Sequence, residues 1–170
     1  QWLGEPAKWN KTYGNITDWD LSDVTNTVDL FKDLAGFNSD IAGWNVRFVM
    51  DMEGMFRNAS AFNVDIDGWD VTSVTSFSRM FEAASAFKAD ISNWDLGKAA
   101  TVARMFHGAT ASVHTMGKVV ASWKARGNLD RAVDAYRIVD LQVHPTWPSV
   151  AESKVEMQEE KRDGTTLTYY

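Results

Sequence analysis

Two series of carboxylate and amide side chains recur along the sequence and are its first candidates for chemistry. Both keep an interval of 25 residues: Asp40, Asp65 and Asp90 form one series, and Asp20, Asn45, Asp70 and Asp95 form the other. If consecutive units stack, neighbouring side chains lie about 5 Å apart, the spacing of adjacent strands. Oxygen ligands at that spacing can bridge Ca²⁺. The alternative is that these oxygens accept hydrogen bonds from backbone amides at turns.

General acid–base catalysis has little support in these series. It needs two carboxylates in unlike environments, whereas a repeat gives each carboxylate the same environment. The serine and threonine residues match no nucleophile motif. The sequence therefore predicts no catalytic residue and no enzyme activity.

The histidines do not form a metal-ligand pattern. The chain has no cysteine, and His107, His114 and His144 include no pair at metal-ligand spacing. They are predicted to be solvated or hydrogen-bonded. We expect neither a metal site nor a cofactor.

Three asparagines fit the glycosylation sequon. They are Asn10, Asn15 and Asn58. They become acceptors if the chain passes through a secretory compartment. The chain starts at Gln1 rather than at a methionine, which leads us to expect removal of a targeting segment. The expected location is an organelle such as the chloroplast, or the cell surface.

Length and charge restrict the class of protein. With 170 residues and 19.1 kDa, the chain has room for one domain and a short appendage. Its 17 basic and 23 acidic residues give a net charge of −6, which disfavours general nucleic-acid binding. No apolar run reaches the roughly 18–20 residues that cross a bilayer. We expect a soluble protein, or one peripheral to a membrane complex.

The same 25-residue interval governs the aromatic residues. These columns are predicted to form the structural core: Trp19, Trp44, Trp69 and Trp94, with Phe31, Phe56, Phe81 and Phe106. A 25-residue unit cannot close a core alone, so its neighbours must stack on it. The chain is therefore predicted to be a solenoid of four units.

The pattern within one unit predicts a strand followed by a helix. Trp44 and Val46 alternate as in a half-buried strand, whereas the apolar residues from Met52 to Ala59 follow the i, i+3, i+4, i+7 spacing of a helix. Stacked strands would form a narrow parallel sheet. The predicted fold class is α/β, a short-repeat solenoid of the leucine-rich-repeat type.

The unit motif, as in WDVTSVTSFSRMFEAASAF, resembles the BspA-like class of leucine-rich-repeat-related sequences over residues 16–111. This resemblance implies a non-catalytic solenoid that serves in adhesion or protein–protein binding.

Three segments flank the solenoid of residues 16–111. Residues 1–15 are predicted to cap its first unit. Residues 112–145 carry two helical stripes, predict a helical hairpin that caps the last unit, and over 113–146 resemble one pentatricopeptide or tetratricopeptide unit. The pentatricopeptide resemblance implies RNA reading, but the base-reading position falls on Lys118 instead of a small polar residue, so no nucleic-acid partner is expected. Residues 146–170 lack periodicity and are predicted to form an extended tail.

Two functions are compatible with this organisation. The first is a protein–protein interaction module that binds or scaffolds another protein. The second is a structural accessory subunit of a larger assembly, such as an algal photosystem-type membrane complex, docked through its C-terminal tail. Neither needs a cofactor.

Overall fold

The structure, a computed structural model, describes residues 13–110, 118, 119, 122, 123, 125–127, 157–160 and 166–169. The chain divides into two compact parts, Gln1–Asp140 and Leu141–Tyr170. The first part holds the 25-residue repeats, and the second holds two strands. Unit 1 spans 16–40, unit 2 spans 41–65, unit 3 spans 66–90, and unit 4 is described from 91 to 110. A short 3₁₀-helix, Ile16–Asp18, begins unit 1.

Consecutive units stack side by side through parallel backbone pairing. Isolated parallel bridges join Asn26 to Asp51, Asp51 to Ser76, and Ser76 to Thr101. Each unit therefore contributes one bridged residue, not a full strand. The strand predicted at Trp44 and Val46 is wrong. Both side chains are buried as the alternation indicates, but the bridged position is Asp51, further along the unit.

The helix predicted from Met52 to Ala59 is absent, because residues 53–58 form consecutive turns. Their amides alternate between two kinds of partner. The Arg57 amide donates to the Gly54 carbonyl at 2.9 Å within the unit, whereas the Phe56 amide donates to the Met80 carbonyl of unit 3 at 2.9 Å. A helix would direct every amide along its own axis. Since half of these amides bond to the next unit, the segment holds the stack together. The α/β class of the whole chain stays a prediction.

Left-handed backbone at two repeated positions makes this alternation possible. Gly54 has φ +60°, a left-handed conformation that glycine adopts without strain, and a Cβ there would lie 2.3 Å from Asp29 Oδ1, so the Asp29 side chain would have to move. The equivalent residues of other units are also left-handed. The first position is occupied by Asp29, Gly54, Arg79 and Arg104, and the second by Asp33, Asn58, Ala83 and Gly108.

The core contains a double column of phenylalanine rings that runs through units 1 to 3, and Phe106 continues one of its columns into unit 4. Within unit 2, the rings of Phe56 and Phe62 stack at 3.8 Å between centroids, and Phe56 lies 5.7 Å from Phe81 in unit 3. The predicted core residues Trp44, Trp69, Trp94, Phe31, Phe56, Phe81 and Phe106 are all buried. Trp19 differs, because it is only partly buried. It belongs to unit 1, and no described unit precedes it.

Each buried tryptophan also joins its unit to the one before it. The indole nitrogen donates to the backbone carbonyl of the isoleucine that begins the preceding unit. The distances are 2.9 Å for Trp44 to Ile16, 3.2 Å for Trp69 to Ile41 and 3.0 Å for Trp94 to Ile66. The Trp19 indole instead donates to the carbonyl of Tyr13 at 3.0 Å.

A helical segment packs against the start of unit 4. Residues 118, 119, 122, 123 and 125 are helical, and Val119 and Trp123 belong to the same buried cluster as the repeats. Ser122 Oγ donates to the Ser92 carbonyl at 2.6 Å, and Arg126 donates to the Trp94 carbonyl at 3.0 Å. The second helix of the predicted hairpin and most of the predicted N-terminal cap lie outside the described residues.

The C-terminal part contains a β-hairpin where the sequence predicts an extended tail. Strand β1, Met157–Glu160, pairs antiparallel with strand β2, Thr166–Tyr169, with Met157 opposite Tyr169. The two strands form a two-stranded sheet. Eight residues of the predicted tail thus pair as a hairpin, and the extended tail over residues 146–170 stays a prediction.

Candidate functional site

The aspartate series are held by the turns of their own units. Asp70 Oδ1 accepts from the Thr72 hydroxyl at 2.6 Å and from the Thr72 amide at 3.2 Å. Asp90 Oδ1 accepts from the Ser92 amide at 2.9 Å. The same bond to the amide two residues later is made by Asp20, Asp40, Asn45, Asp65 and Asp95. This is the hydrogen-bonding alternative that the sequence offered for these columns.

These hydrogen bonds favour the ionised carboxylate. The Thr72 hydroxyl lowers the pKa of Asp70, and the Ser92 side chain lowers the pKa of Asp90. For Asp20, the backbone amide of Ser22 is the main cause of the lowered pKa. All three shifts have the same direction. None of these three carboxyl groups is thus favoured in the protonated form that a general acid needs.

A further hydrogen-bonding series escaped the sequence analysis. Asn26, Asp51, Ser76 and Thr101 occupy the bridged position of each unit, and each side chain accepts from the amide two residues later. The position requires only a short side chain with an acceptor oxygen, so four different residue types occupy it. Because the residue type changes from unit to unit, the sequence alone does not reveal the repeat at this position. Within the described residues, no group of three or more histidine, aspartate or glutamate side chains is placed to hold a metal ion.

Glu82 lies at the centre of a charged cluster between units 3 and 4. Arg104 donates to Glu82 Oε1 through its Nε at 2.9 Å and also through its terminal nitrogen. Arg79 and His107 lie 3.9 Å and 3.5 Å from the same carboxylate. The Glu82 side chain is only 14% exposed, so the pairing is partly shielded from water. This cluster connects units. His114 and His144 lie outside the described residues.

An open depression of about 320 Å³ lies on the surface of units 2 and 3. Its lining residues are Asn63, Asp65, Asp67, Lys88, Ala89 and Asp90. Asn63 Oδ1 accepts from the Lys88 amide at 2.9 Å, and Asp67 accepts from the Asn93 amide at 3.1 Å. Its polar groups are thus hydrogen-bonded within turns or between neighbouring units, and the depression lacks the enclosure typical of a ligand pocket.

The sequons differ in their surroundings. The exposed Asn15 caps the 3₁₀-helix, and its side-chain oxygen accepts from the Thr17 amide at 3.2 Å. Asn58 Nδ2, the atom that glycosylation modifies, donates to Asp33 Oδ1 at 2.6 Å. Asn10 lies outside the described residues.

Two large apolar side chains project from the outer surface of unit 2, and the sequence analysis missed them. Phe48 is 49% exposed and Met50 is 51% exposed. The guanidinium of Arg47 lies 5.8 Å from the centre of the Phe48 ring. We call Arg47, Phe48 and Met50 the unit 2 patch. The sequence does contain an indication that Phe48 is exposed. The other units carry the polar residues Asp23, Ser73 and Lys98 at the equivalent position.

A comparison with known families assigns the repeats. A family described as "Mycoplasma protein of unknown function, DUF285" matches residues 6–119, about two-thirds of the chain. The chain is a member of the DUF285 family. The DUF285 match covers all four units and supports a repeat protein. The finer assignment to the BspA-like class stays a prediction, as does the pentatricopeptide resemblance.

Comparisons with curated proteins and with solved structures gave no match. Among the described residues, no helix combines the length and apolar character needed to cross a membrane.

Proposed function

We propose that this DUF285 chain is a non-catalytic protein-binding module and that the unit 2 patch is its contact surface. The main support for this proposal is that the side chains of Phe48 and Met50 are each about half exposed. The aromatic columns of the core are hidden in the interior and cannot serve as contacts. A solenoid commonly presents its regular outer surface to a partner.

The patch has the composition of an interface centre. Complete burial of a fully exposed phenylalanine or methionine contributes about 1.5–3 kcal/mol, and the half-exposed Phe48 and Met50 retain roughly half of this each. Aromatic, methionine and arginine side chains are enriched at protein interfaces. The partner we expect presents an apolar surface with an acidic group near Arg47, because the Arg47 guanidinium lies next to the ring that the partner would cover.

The repeat itself supplies a substitution that should remove the patch without disturbing the fold. The Phe48→Ser, Met50→Thr double variant introduces the residues that unit 3 carries at these positions, Ser73 and Thr75. Crosslinking mass spectrometry on native material should place partner crosslinks next to residues 47–50. The purified partner should then bind the double variant at least tenfold more weakly than wild type.

Val28→Ser is the matched control. Val28 is 40% exposed and lies in unit 1, and unit 3 carries Ser78 at the equivalent position. It should retain wild-type affinity. Equal binding by wild type and the double variant, with circular dichroism unchanged, would refute the proposal.

The C-terminal hairpin favours a second candidate, an accessory subunit docked through its tail. Strands β1 and β2 have four residues each, and an isolated two-stranded hairpin is marginally stable in water. A partner strand or surface would stabilise it. Truncation after Pro148 removes the hairpin and should abolish incorporation into the native assembly. Unchanged incorporation of the truncated chain would exclude docking through the tail.

A further inference from the structure

The five methionines whose side chains the structure describes fall into two classes. Met52, Met55, Met80 and Met105 are 0% exposed, and all four belong to the hydrophobic core. Met50 is 51% exposed. Most of the surface of a methionine belongs to its long thioether side chain, so this degree of exposure means that the Met50 side chain reaches solvent.

The backbone around Met50 holds this side chain outward. The Met50 amide donates to the Thr25 carbonyl at 2.8 Å, and the Met50 carbonyl accepts from the Thr75 amide at 2.8 Å and from the Thr75 hydroxyl at 2.9 Å. Met50 is thus fixed to both neighbouring units. Val49 and Met52 on either side of it are fully buried, and the position equivalent to Met50 is exposed in every unit. The exposure of Met50 is therefore a property of the repeat.

Methionine is the only residue type that supplies oxidisable sulfur in this chain. The sequence contains seven methionines and no cysteine, so no thiol competes for an oxidant. Peroxides convert a methionine thioether into a sulfoxide, and solvent access governs which sites react. Among the described methionines, Met50 is the one that a peroxide in solution reaches first.

Oxidation of Met50 would change the polarity of the unit 2 patch. Met50 and Phe48 are its two apolar side chains, and they are exposed to a similar degree. Sulfoxide formation converts the flexible apolar side chain into a polar one. A partner that covers the sulfoxide has to remove water from its oxygen, which is unfavourable unless the partner donates a hydrogen bond. Oxidation therefore opposes the apolar contact.

We propose that Met50 is a reversible oxidation site and that its sulfoxide weakens the contact made by the unit 2 patch, an inference that rests on the proposed function. The Met50 sulfur attacks one oxygen of a peroxide, so that an S–O bond forms and the O–O bond breaks. The sulfur loses two electrons and the peroxide gains them. With hydrogen peroxide, the proton of the transferred oxygen passes to the departing hydroxide, which leaves as water.

Limited treatment of the full chain with hydrogen peroxide tests the site. Peptide mass spectrometry measures the rate at which each methionine gains one oxygen. Met50 should oxidise at least about tenfold faster than the four buried methionines of the repeats. Similar rates at Met50 and Met52 would overturn the proposal. Circular dichroism before and after treatment verifies that the chain stays folded.

Affinity measurements test the effect on the contact. The partner purified for the double-variant experiment should bind peroxide-treated wild type at least about fivefold more weakly than untreated wild type. Methionine sulfoxide reductases should restore the affinity, because they return the sulfoxide to the thioether. Met50→Leu is the matched control. Leucine has no sulfur, so peroxide should leave the affinity of this variant at its own untreated value, and an equal loss in the variant would refute the role of Met50.

A phenyl matrix provides a probe that needs no partner. Peroxide-treated wild type should elute from it earlier than untreated wild type, because the patch has become more polar. Treated and untreated Met50→Leu should elute together. If treated wild type elutes unchanged, the patch stays apolar after oxidation and the proposal fails.

The proposed function and the oxidation site fail in different ways. If the Phe48→Ser, Met50→Thr variant loses affinity but peroxide-treated wild type keeps it, the patch is the contact and only the effect of oxidation is refuted. If both keep wild-type affinity, the unit 2 patch is not the contact, and both proposals fall.

Discussion

The indole nitrogen of Trp69 donates to the backbone carbonyl of Ile41, 3.2 Å away and one unit earlier in the stack. Both residues are buried. The bond explains why the column contains tryptophan and not another aromatic residue. A phenylalanine would fill most of the same space but would leave the isoleucine carbonyl without this donor.

Substitution of Trp69 should separate packing from hydrogen bonding. Trp69→Phe should lower the free energy of unfolding by about 1–3 kcal/mol, because it leaves a buried carbonyl without its partner. Trp69→Ala should cost about 3–5 kcal/mol, because it also creates a cavity. Urea unfolding followed by circular dichroism measures both. Trp19→Phe is the control and should cost less, since Trp19 is only partly buried. Equal losses at Trp19 and Trp69 would contradict this account.

Ala83→Gly should stabilise the protein. Ala83 has φ +57°, and a left-handed alanine costs roughly 1–2 kcal/mol, of which the greater freedom of unfolded glycine cancels about 0.5–1 kcal/mol. The expected net gain is about 0.5–1 kcal/mol, measured by urea unfolding. Gly54→Ala at the other left-handed position should destabilise by about 0.5–1 kcal/mol, the reverse of the same balance. A destabilised Ala83→Gly variant would argue against left-handed backbone at this position.

The Glu82–Arg104 pair should contribute measurably to the junction between units 3 and 4. A double-mutant cycle with Glu82→Gln and Arg104→Ala should give a coupling energy of about 0.5–1 kcal/mol, since Arg104 is 45% exposed. High salt should reduce it. The more exposed Asp29–Lys32 pair is the comparison and should couple more weakly. A zero coupling energy at Glu82 would show that the cluster does not stabilise the stack.

Removing the Thr72 hydroxyl should change how stability depends on pH. The hydroxyl lowers the pKa of Asp70 in the folded state, so its contribution is present above the ordinary aspartate pKa of about 4 and is lost as pH falls below it. Thr72→Val should therefore lose stability relative to wild type at neutral pH, and the difference should shrink in acid. NMR titration should show a higher Asp70 pKa in the variant.

Thr75→Val is the control for this measurement. The Thr75 hydroxyl donates to the Met50 carbonyl at 2.9 Å rather than to a carboxylate. Its substitution should lower stability by the same amount at neutral and acid pH. A similar pH dependence in both variants would show that Asp70 is not the group responsible.

The sequence predicted the stacking of units better than their local conformation. An interval of 25 residues aligns equivalent side chains whatever backbone joins them, and the ring contacts between Phe56 and Phe81 follow from it. The backbone conformation within one unit could not be predicted from the 25-residue interval. Met52, Met55, Phe56 and Ala59 have helical spacing, but a run of turns buries the same set of residues.

Gly54 and Asn58 carried the signal that the helix prediction overlooked. Glycine and asparagine tolerate left-handed backbone better than other residues. Their equivalents in unit 3, Arg79 and Ala83, give no such signal and hide the position. The unit 2 patch was missed for a different reason. Phe48 and Met50 are apolar and by themselves indicate burial, and only the polar residues at the equivalent positions of other units indicate that these positions face outward.

The uniform 25-residue period allows the protein to change length in whole steps. Deleting residues 66–90 would join Asp65 to Ile91 and bring Trp94 into register with Ile41, the carbonyl that Trp69 uses in the intact chain. No new loop is needed, and every column continues across the junction. Recombination between units can thus lengthen or shorten the molecule while each surviving side chain keeps an equivalent neighbour.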